Sequence, residues 1–148
     1  MILQKGNMWS AFPDSDCFLI TTNSFIKRNR SAVLGRGIAL EATKRFPQLP
    51  RLAGQAMSTR TSHLGEYGVI GRVCGNIGIF QVKHHWGEPA KLDLIKRSCD
   101  HLIRKLDTVT SSFRVDLNFP GIGNGKLAYD DVLPVVSQLP DNVNVWTF

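Results

Sequence analysis

The sequence predicts a three-layer α/β/α sandwich built around a central mixed sheet, in one domain spanning residues 1–148. Segments of strand character alternate with segments of helical periodicity, the order that stacks helices on both faces of a sheet. Cys74-Gly75-Asn76 joins two strand-like runs through a tight turn, which makes one strand pair antiparallel and the sheet mixed. Two glycine-rich loops stand beside these elements, at the strand ends where open α/β sheets bind ligands.

Met1–Lys5 and Cys17–Thr22 read as strands, the second as an apolar run of the kind buried on both faces. Gly37–Phe46 reads as a helix stopped by Pro47, with Ile38, Ala42 and Phe46 on one face and Glu41, Lys44 and Arg45 off it. Val69–Val73 and Ile77–Lys83 form the hairpin. Lys91–Leu106 is the clearest helix: Leu92, Ile95, Cys99, Leu102, Ile103 and Leu106 make an apolar stripe, and Pro89 sits just before it. Arg114–Phe119 alternates as a strand, Asp131–Leu139 carries Val132, Val135, Val136 and Leu139 at helical spacing, and Val143–Trp146 closes as a strand.

Composition narrows the function classes. Hydrophobic residues at 43% and charged residues at 20% exclude a disordered chain. No apolar run approaches the ~20 residues that cross a bilayer, and Met1–Lys5 is too short and mixed for a signal peptide. The expectation is a cytoplasmic protein with no membrane partner, suited as a compact domain to a bacterial or phage genome. Cys17, Cys74 and Cys99 are scattered, odd in number and without metal-type spacing, so they read as reduced core residues. The residues present call for no metal or other cofactor. Net charge is +6, spread along the chain, with one dense cluster at Lys27-Arg28-Asn29-Arg30. That cluster is either a solvated loop or a basic surface that attracts an anionic ligand or a nucleic-acid-linked substrate.

The glycine loops carry the ligand chemistry. Gly35-Arg36-Gly37-Ile38 opens a helix, whose first N–H groups and dipole favour an anion. Pro120-Gly121-Ile122-Gly123-Asn124-Gly125 follows a strand. Two such loops suggest a ligand with two phosphates, although glycines also serve tight turns on their own.

With the loops in view, the sequence resembles the macrodomains, the ADP-ribose-binding fold. Lys5-Gly6-Asn7-Met8-Trp9 resembles the family's opening Gly-Asp-Ile/Leu element, and Ile20-Thr21-Thr22-Asn23 its strand ending in asparagine. Gly35-Arg36-Gly37-Ile38-Ala39-Leu40 with Arg45-Phe46-Pro47, and Phe119-Pro120-Gly121-Ile122-Gly123-Asn124-Gly125, resemble the loops of its lysine-dependent glycohydrolase branch. The resemblance implies that Asn7 and Met8 lie at the adenine and Asn23 at the distal ribose. It implies that Gly35, Arg36, Gly37 and Ile38 line the diphosphate and ribose, opposite Gly121, Ile122, Gly123, Asn124, Gly125 and Lys126. Asn7 stands where the family usually has aspartate, and it keeps an acceptor oxygen without the charge.

Lys83 follows Ile77–Val82 where the branch carries a catalytic lysine. A neutral amine there attacks C1″ of the distal ribose, and ring opening allows a Schiff-base intermediate. A plain solvated lysine at a strand end is the other reading. The branch places an aspartate after its Gly-x-Gly loop. Here Lys126 stands near that position, and Asp130 or Asp131 either takes the role or caps the following helix. His84 and His85 are proton shuttles or surface-turn residues.

The resemblance therefore implies an ADP-ribosyl hydrolase acting on protein, nucleic acid or a small metabolite. Three alternatives stay open: a phosphatase of ADP-ribose-1″-phosphate ordered by Asn23 and a histidine, a non-catalytic reader of ADP-ribose, and a basic nucleic-acid-binding module on the same fold.

Overall fold

A computed structural model describes residues 1–60 and 68–148. The elements, in chain order, are β1 (Ile2–Lys5), a 3-10 helix (Met8–Asp14), β2 (Cys17–Thr22), α1 (Gly37–Arg45), α2 (Leu49–Arg60), β3 (Val69–Cys74), β4 (Ile77–Gln81), α3 (Leu92–Leu106), β5 (Val115–Asn118), a short 3-10 turn (Gly123–Gly125), α4 (Tyr129–Val136) and β6 (Val143–Thr147).

The strands form one six-stranded sheet in the order β1-β6-β5-β2-β4-β3. All neighbours run parallel except β3 and β4, whose hairpin turns at Gly75 with a positive φ of 58°. The sheet is therefore mixed, for the reason the turn residues foretell. Alternation along β2 divides its side chains between two cores. Phe18 and Ile20 join Ile77 and Ile79 under α1 and α2, whereas Leu19 joins Phe80, Leu117 and Val145 under α3 and α4. Phe18, Leu19 and Ile20 are fully buried, each contributing about 1.5–3 kcal/mol of burial.

The elements differ from the sequence reading in five places. The 3-10 helix and α2 are additional. In α3 it is Leu94 that is buried and Leu92 that is exposed, so the stripe starts two positions later. The N-cap of α4 is Ala128, and Asp130 and Asp131 occupy its first turn, where they complement the helix dipole without capping. The first glycine loop does not directly end a strand: β2 stops at Thr22, and the connection folds on itself through an Ile26–Ala32 bridge before reaching Gly35.

Cys99 is buried and Cys17 and Cys74 are partly so. Burial pushes the Cys99 thiol up to about 12 and that of Cys17 up to about 11. Both remain protonated near neutrality, as unreactive packing residues.

The topology makes a site at the carboxyl end of the sheet. From β4 the chain crosses through α3 to β5, on the far side of β2. The loops leaving β2, β4 and β5 consequently meet at one edge. Backbone pairing of β2 with β5 covers Cys17–Leu19 only. Beyond it Asn118 takes over: its Oδ1 accepts from the Thr21 N–H at 2.9 Å, and its Nδ2 donates to Thr21 Oγ1 at 2.8 Å.

Candidate active site

Three segments build the site, and each is fixed by specific contacts. The loop after β2 is tied at Asn23, which is buried. Its Nδ2 donates to the Val33 carbonyl at 2.9 Å, and its Oδ1 accepts from the Phe25 N–H at 3.0 Å. Asn23 thus closes the connection that delivers Gly35–Ile38 to the strand ends.

The loop after β4 is clasped from both sides. Ser24 donates from Oγ to the Lys83 carbonyl at 3.1 Å and from N–H to the His84 carbonyl at 3.1 Å. On the other side the Ala90 N–H donates to the Gly125 carbonyl at 2.9 Å. A Cβ on Gly125 would approach Ala90 Cβ to 3.0 Å, so this glycine permits close docking of the loops.

The loop after β5 is pinned inward at Gly121, where a Cβ would lie 2.6 Å from Ile95 Cδ1 and φ is 80°. The positive φ favours glycine, and the missing Cβ leaves room for the Ile95 side chain. The loop ends at Lys126, a non-glycine residue held in the left-handed region at φ 64°. Strain of this kind gathers at functional loops.

The glycine loops meet. A Cβ on Gly37 would lie 3.5 Å from Asn124 Nδ2. α1 begins at Gly37, and its first N–H groups have no partner within the helix.

Lys83 lies beside the junction. It is half-buried, and its Nζ donates to the Trp86 carbonyl at 3.3 Å. Its pKa is lowered from the ordinary lysine value, first by burial and then by the positive charges of Arg36 and Lys126, with Glu88 opposing. One cation from each glycine loop therefore acts on this amine. Glu88 is a carboxylate whose charge reaches it. Convergent N–H groups and cations suit a polyanion, and an amine with a lowered pKa suits nucleophilic attack.

The structure thus brings Gly35–Ile38, Gly121–Lys126 and Lys83 together. Asn7 caps the 3-10 helix, its Oδ1 accepting from the Trp9 N–H at 3.0 Å. Met8 is buried, so its side chain packs in the core. Asp130 is exposed on α4. Sequence reasoning does not single out Trp86, whose carbonyl the turn after Lys83 brings to Nζ, or Glu88, whose charge acts on the amine. Their only signal was nearness in the chain to Lys83.

The chain is similar to solved structures along almost its whole length. With the macrodomain of Mycobacterium tuberculosis DarG it shares 25% identity at a TM-score of 0.73, over 99% of this chain and 97% of that one. Thermosipho africanus DarTG in complex with ADP-ribose has 16% identity and a TM-score of 0.74, over 99% of this chain and 41% of that one, a likeness of fold. The macrodomain of Thermus aquaticus DarG has 22% identity and a TM-score of 0.69, over 99% of this chain and 96% of that one. The DNA ADP-ribosyl glycohydrolase of Mycobacterium tuberculosis is 31% identical over 121 residues, 76% of this chain and 34% of that protein. The chain therefore spans about a third of the length of the curated relatives it matches. No family model matches it.

Proposed function

This chain has the macrodomain fold, and on that premise we propose that it binds ADP-ribose and hydrolyses an ADP-ribosyl linkage with Lys83 as the nucleophile. The observation that carries the reading is the position of Lys83: half-buried at the end of β4, its pKa lowered by burial and by a cation from each glycine loop.

The diphosphate sits between Gly35–Ile38 and Gly121–Gly125, facing backbone N–H groups with Arg36 and Lys126 at its flanks. Adenine extends toward Asn7 and the backbone of Met8, and the distal ribose toward Asn23 and Lys83. Neutral Lys83 attacks C1″, and the bond from C1″ to the carrier breaks as the leaving atom takes a proton. The ribose ring opens to an imine on Nζ. Water then adds at C1″, the C1″–Nζ bond breaks, and ADP-ribose leaves with the amine restored. The water needs a base. Glu88 is favoured because its charge acts on Lys83, and Asp130 is the other candidate. The curated relatives are named DNA ADP-ribosyl glycohydrolases, which favours nucleic acid over protein as the carrier here.

A non-catalytic reader is the second reading. It is favoured by Lys126 standing where the resembled branch has its aspartate. Calorimetry with ADP-ribose, followed by mass measurement of ADP-ribosylated oligonucleotide and protein after incubation, tests both. Tight binding with loss of the ADP-ribosyl mass supports the hydrolase. Tight binding with no linkage cut makes the chain a reader, and no binding ends the account.

A further inference from the structure

Beside Lys83 lies an exposed ring cluster that the proposed chemistry does not use. His85 contacts Phe25 edge-on, with centroids 4.9 Å apart at 72°, and Trp86 at 4.8 Å and 31°. Trp86 is 52% exposed and Phe25 37%. A single exposed aromatic is ordinary, but two bridged by a half-buried imidazole at the mouth of a site are not. The cluster is held in place: the His85 ring accepts at Nδ1 from the Gly87 N–H at 2.9 Å, and Ser24 bonds the Lys83 and His84 carbonyls.

The basic turn follows Phe25 directly. Lys27, Arg28 and Arg30 are exposed, and among the described residues none of them makes an ion pair. The turn is fixed by Lys27 N–H to the Ser31 carbonyl at 2.8 Å, Arg30 N–H to the Lys27 carbonyl at 2.9 Å, and Ser31 N–H to Asn29 Oδ1 at 3.0 Å. α2 supports it from below, where the Ala32 N–H donates to the Pro50 carbonyl at 2.8 Å. Three ordered cations without carboxylates beside flat, exposed rings match a chain of alternating phosphates and unstacked bases.

We propose that Phe25, His85 and Trp86, with Lys27, Arg28 and Arg30, form a docking surface for a single-stranded nucleic-acid carrier of the ADP-ribosyl group. Bases stack on Trp86, and phosphates run along the basic turn. A duplex hides its base faces, so the rings select a single strand. This deepens the proposed function and rests on it for the identity of the carrier. The Lys83–Trp86 hydrogen bond sets the stacking surface against the reacting amine.

The test is fluorescence polarisation with an unmodified, mixed-sequence single-stranded DNA oligonucleotide and a base-free oligonucleotide of equal length. The parent binds the base-bearing strand in a salt-sensitive manner, and the base-free strand at least tenfold more weakly. Trp86→Ala loses about tenfold affinity for the base-bearing strand only, and Trp86→Phe restores most of it. The triple variant Lys27→Gln, Arg28→Gln, Arg30→Asn weakens both strands and flattens the salt dependence. Asparagine is used at residue 30 because φ there is 71°. ADP-ribose affinity of the triple variant stays at the parent value by calorimetry. Equal binding of both strands by the parent overturns the proposal, as does unchanged DNA affinity in both variants. Competition by polyglutamate as effective as by DNA also overturns it, in favour of an acidic protein partner. Failure of the parent to bind ADP-ribose would instead remove the proposed function, while the oligonucleotide arms still read the surface.

Discussion

Gly37 and Asn124 face each other across the junction of the two glycine loops: a Cβ on Gly37 would lie 3.5 Å from Asn124 Nδ2. A larger residue at either loop therefore projects toward the same space.

Gly37→Val and Gly123→Val both reduce ADP-ribose affinity by an order of magnitude or more, about 1.4 kcal/mol per tenfold, as calorimetry reads it. A Cβ at Gly123 meets nothing within 4 Å, so the valine there intrudes on the ligand and not on the fold. The left-handed backbone, at φ 57° and 66°, adds a stability cost of about 1–2 kcal/mol for each variant. Affinity that survives both changes in folded protein places the phosphates elsewhere.

The pH dependence of ADP-ribose release follows the charges around Lys83. The amine reacts when neutral, so the rate rises with pH through its pKa, which lies below the ordinary lysine value. Arg36→Gln and Lys126→Gln each remove a positive neighbour, raise that pKa and move the rising limb to higher pH. Glu88→Gln removes a negative neighbour and moves it to lower pH, with a lower plateau because the favoured base for the water has gone. A pH–rate profile of the three variants reads these signs directly, and identical limbs refute the electrostatic account.

A stability prediction concerns Asp116, fully buried on β5. Arg114 Nε donates to its Oδ2 at 3.1 Å, and Trp146 Nε1 donates to its Oδ1 at 2.9 Å. Arg114→Met leaves the carboxylate without its cation, and thermal or urea unfolding shows a loss of about 3 kcal/mol or more. The double variant Arg114→Met, Asp116→Asn recovers part of that loss, because the buried charge has gone.

Gly54→Ala tests the support beneath the basic turn. A Cβ there would lie 1.9 Å from the Arg30 carbonyl oxygen, and backbone must move to admit it. Urea unfolding shows a loss of about 1–3 kcal/mol, although alanine is the better helix former.

That glycine also explains what the sequence concealed. α2 carries Pro50 in its first turn, where proline is tolerated, and Gly54 in its middle. Both read locally as breakers, and the need for Gly54 arises only from a tertiary contact with Arg30. The 3-10 helix was hidden likewise, since Asn7 caps it and Trp9 is held by packing on Phe18 at 4.7 Å and by Arg45 at 4.1 Å. The sheet was legible because β2 and β4 carry apolar runs, Cys17–Ile20 and Ile77–Phe80, and the Gly75 turn announces the hairpin. The glycine loops and Lys83 were legible because their residue types state their chemistry. Glu88 and Trp86 were not, because the folding back of a turn leaves no periodic signal.

The most direct test is release of ADP-ribose from an ADP-ribosylated single-stranded oligonucleotide, measured at saturating protein for the parent and Lys83→Ala. The account predicts that the variant binds ADP-ribose within a few-fold of the parent, because the loop contacts remain, and releases none, because no amine is left to attack C1″. Undiminished release by Lys83→Ala would contradict it and assign the reaction to a water molecule.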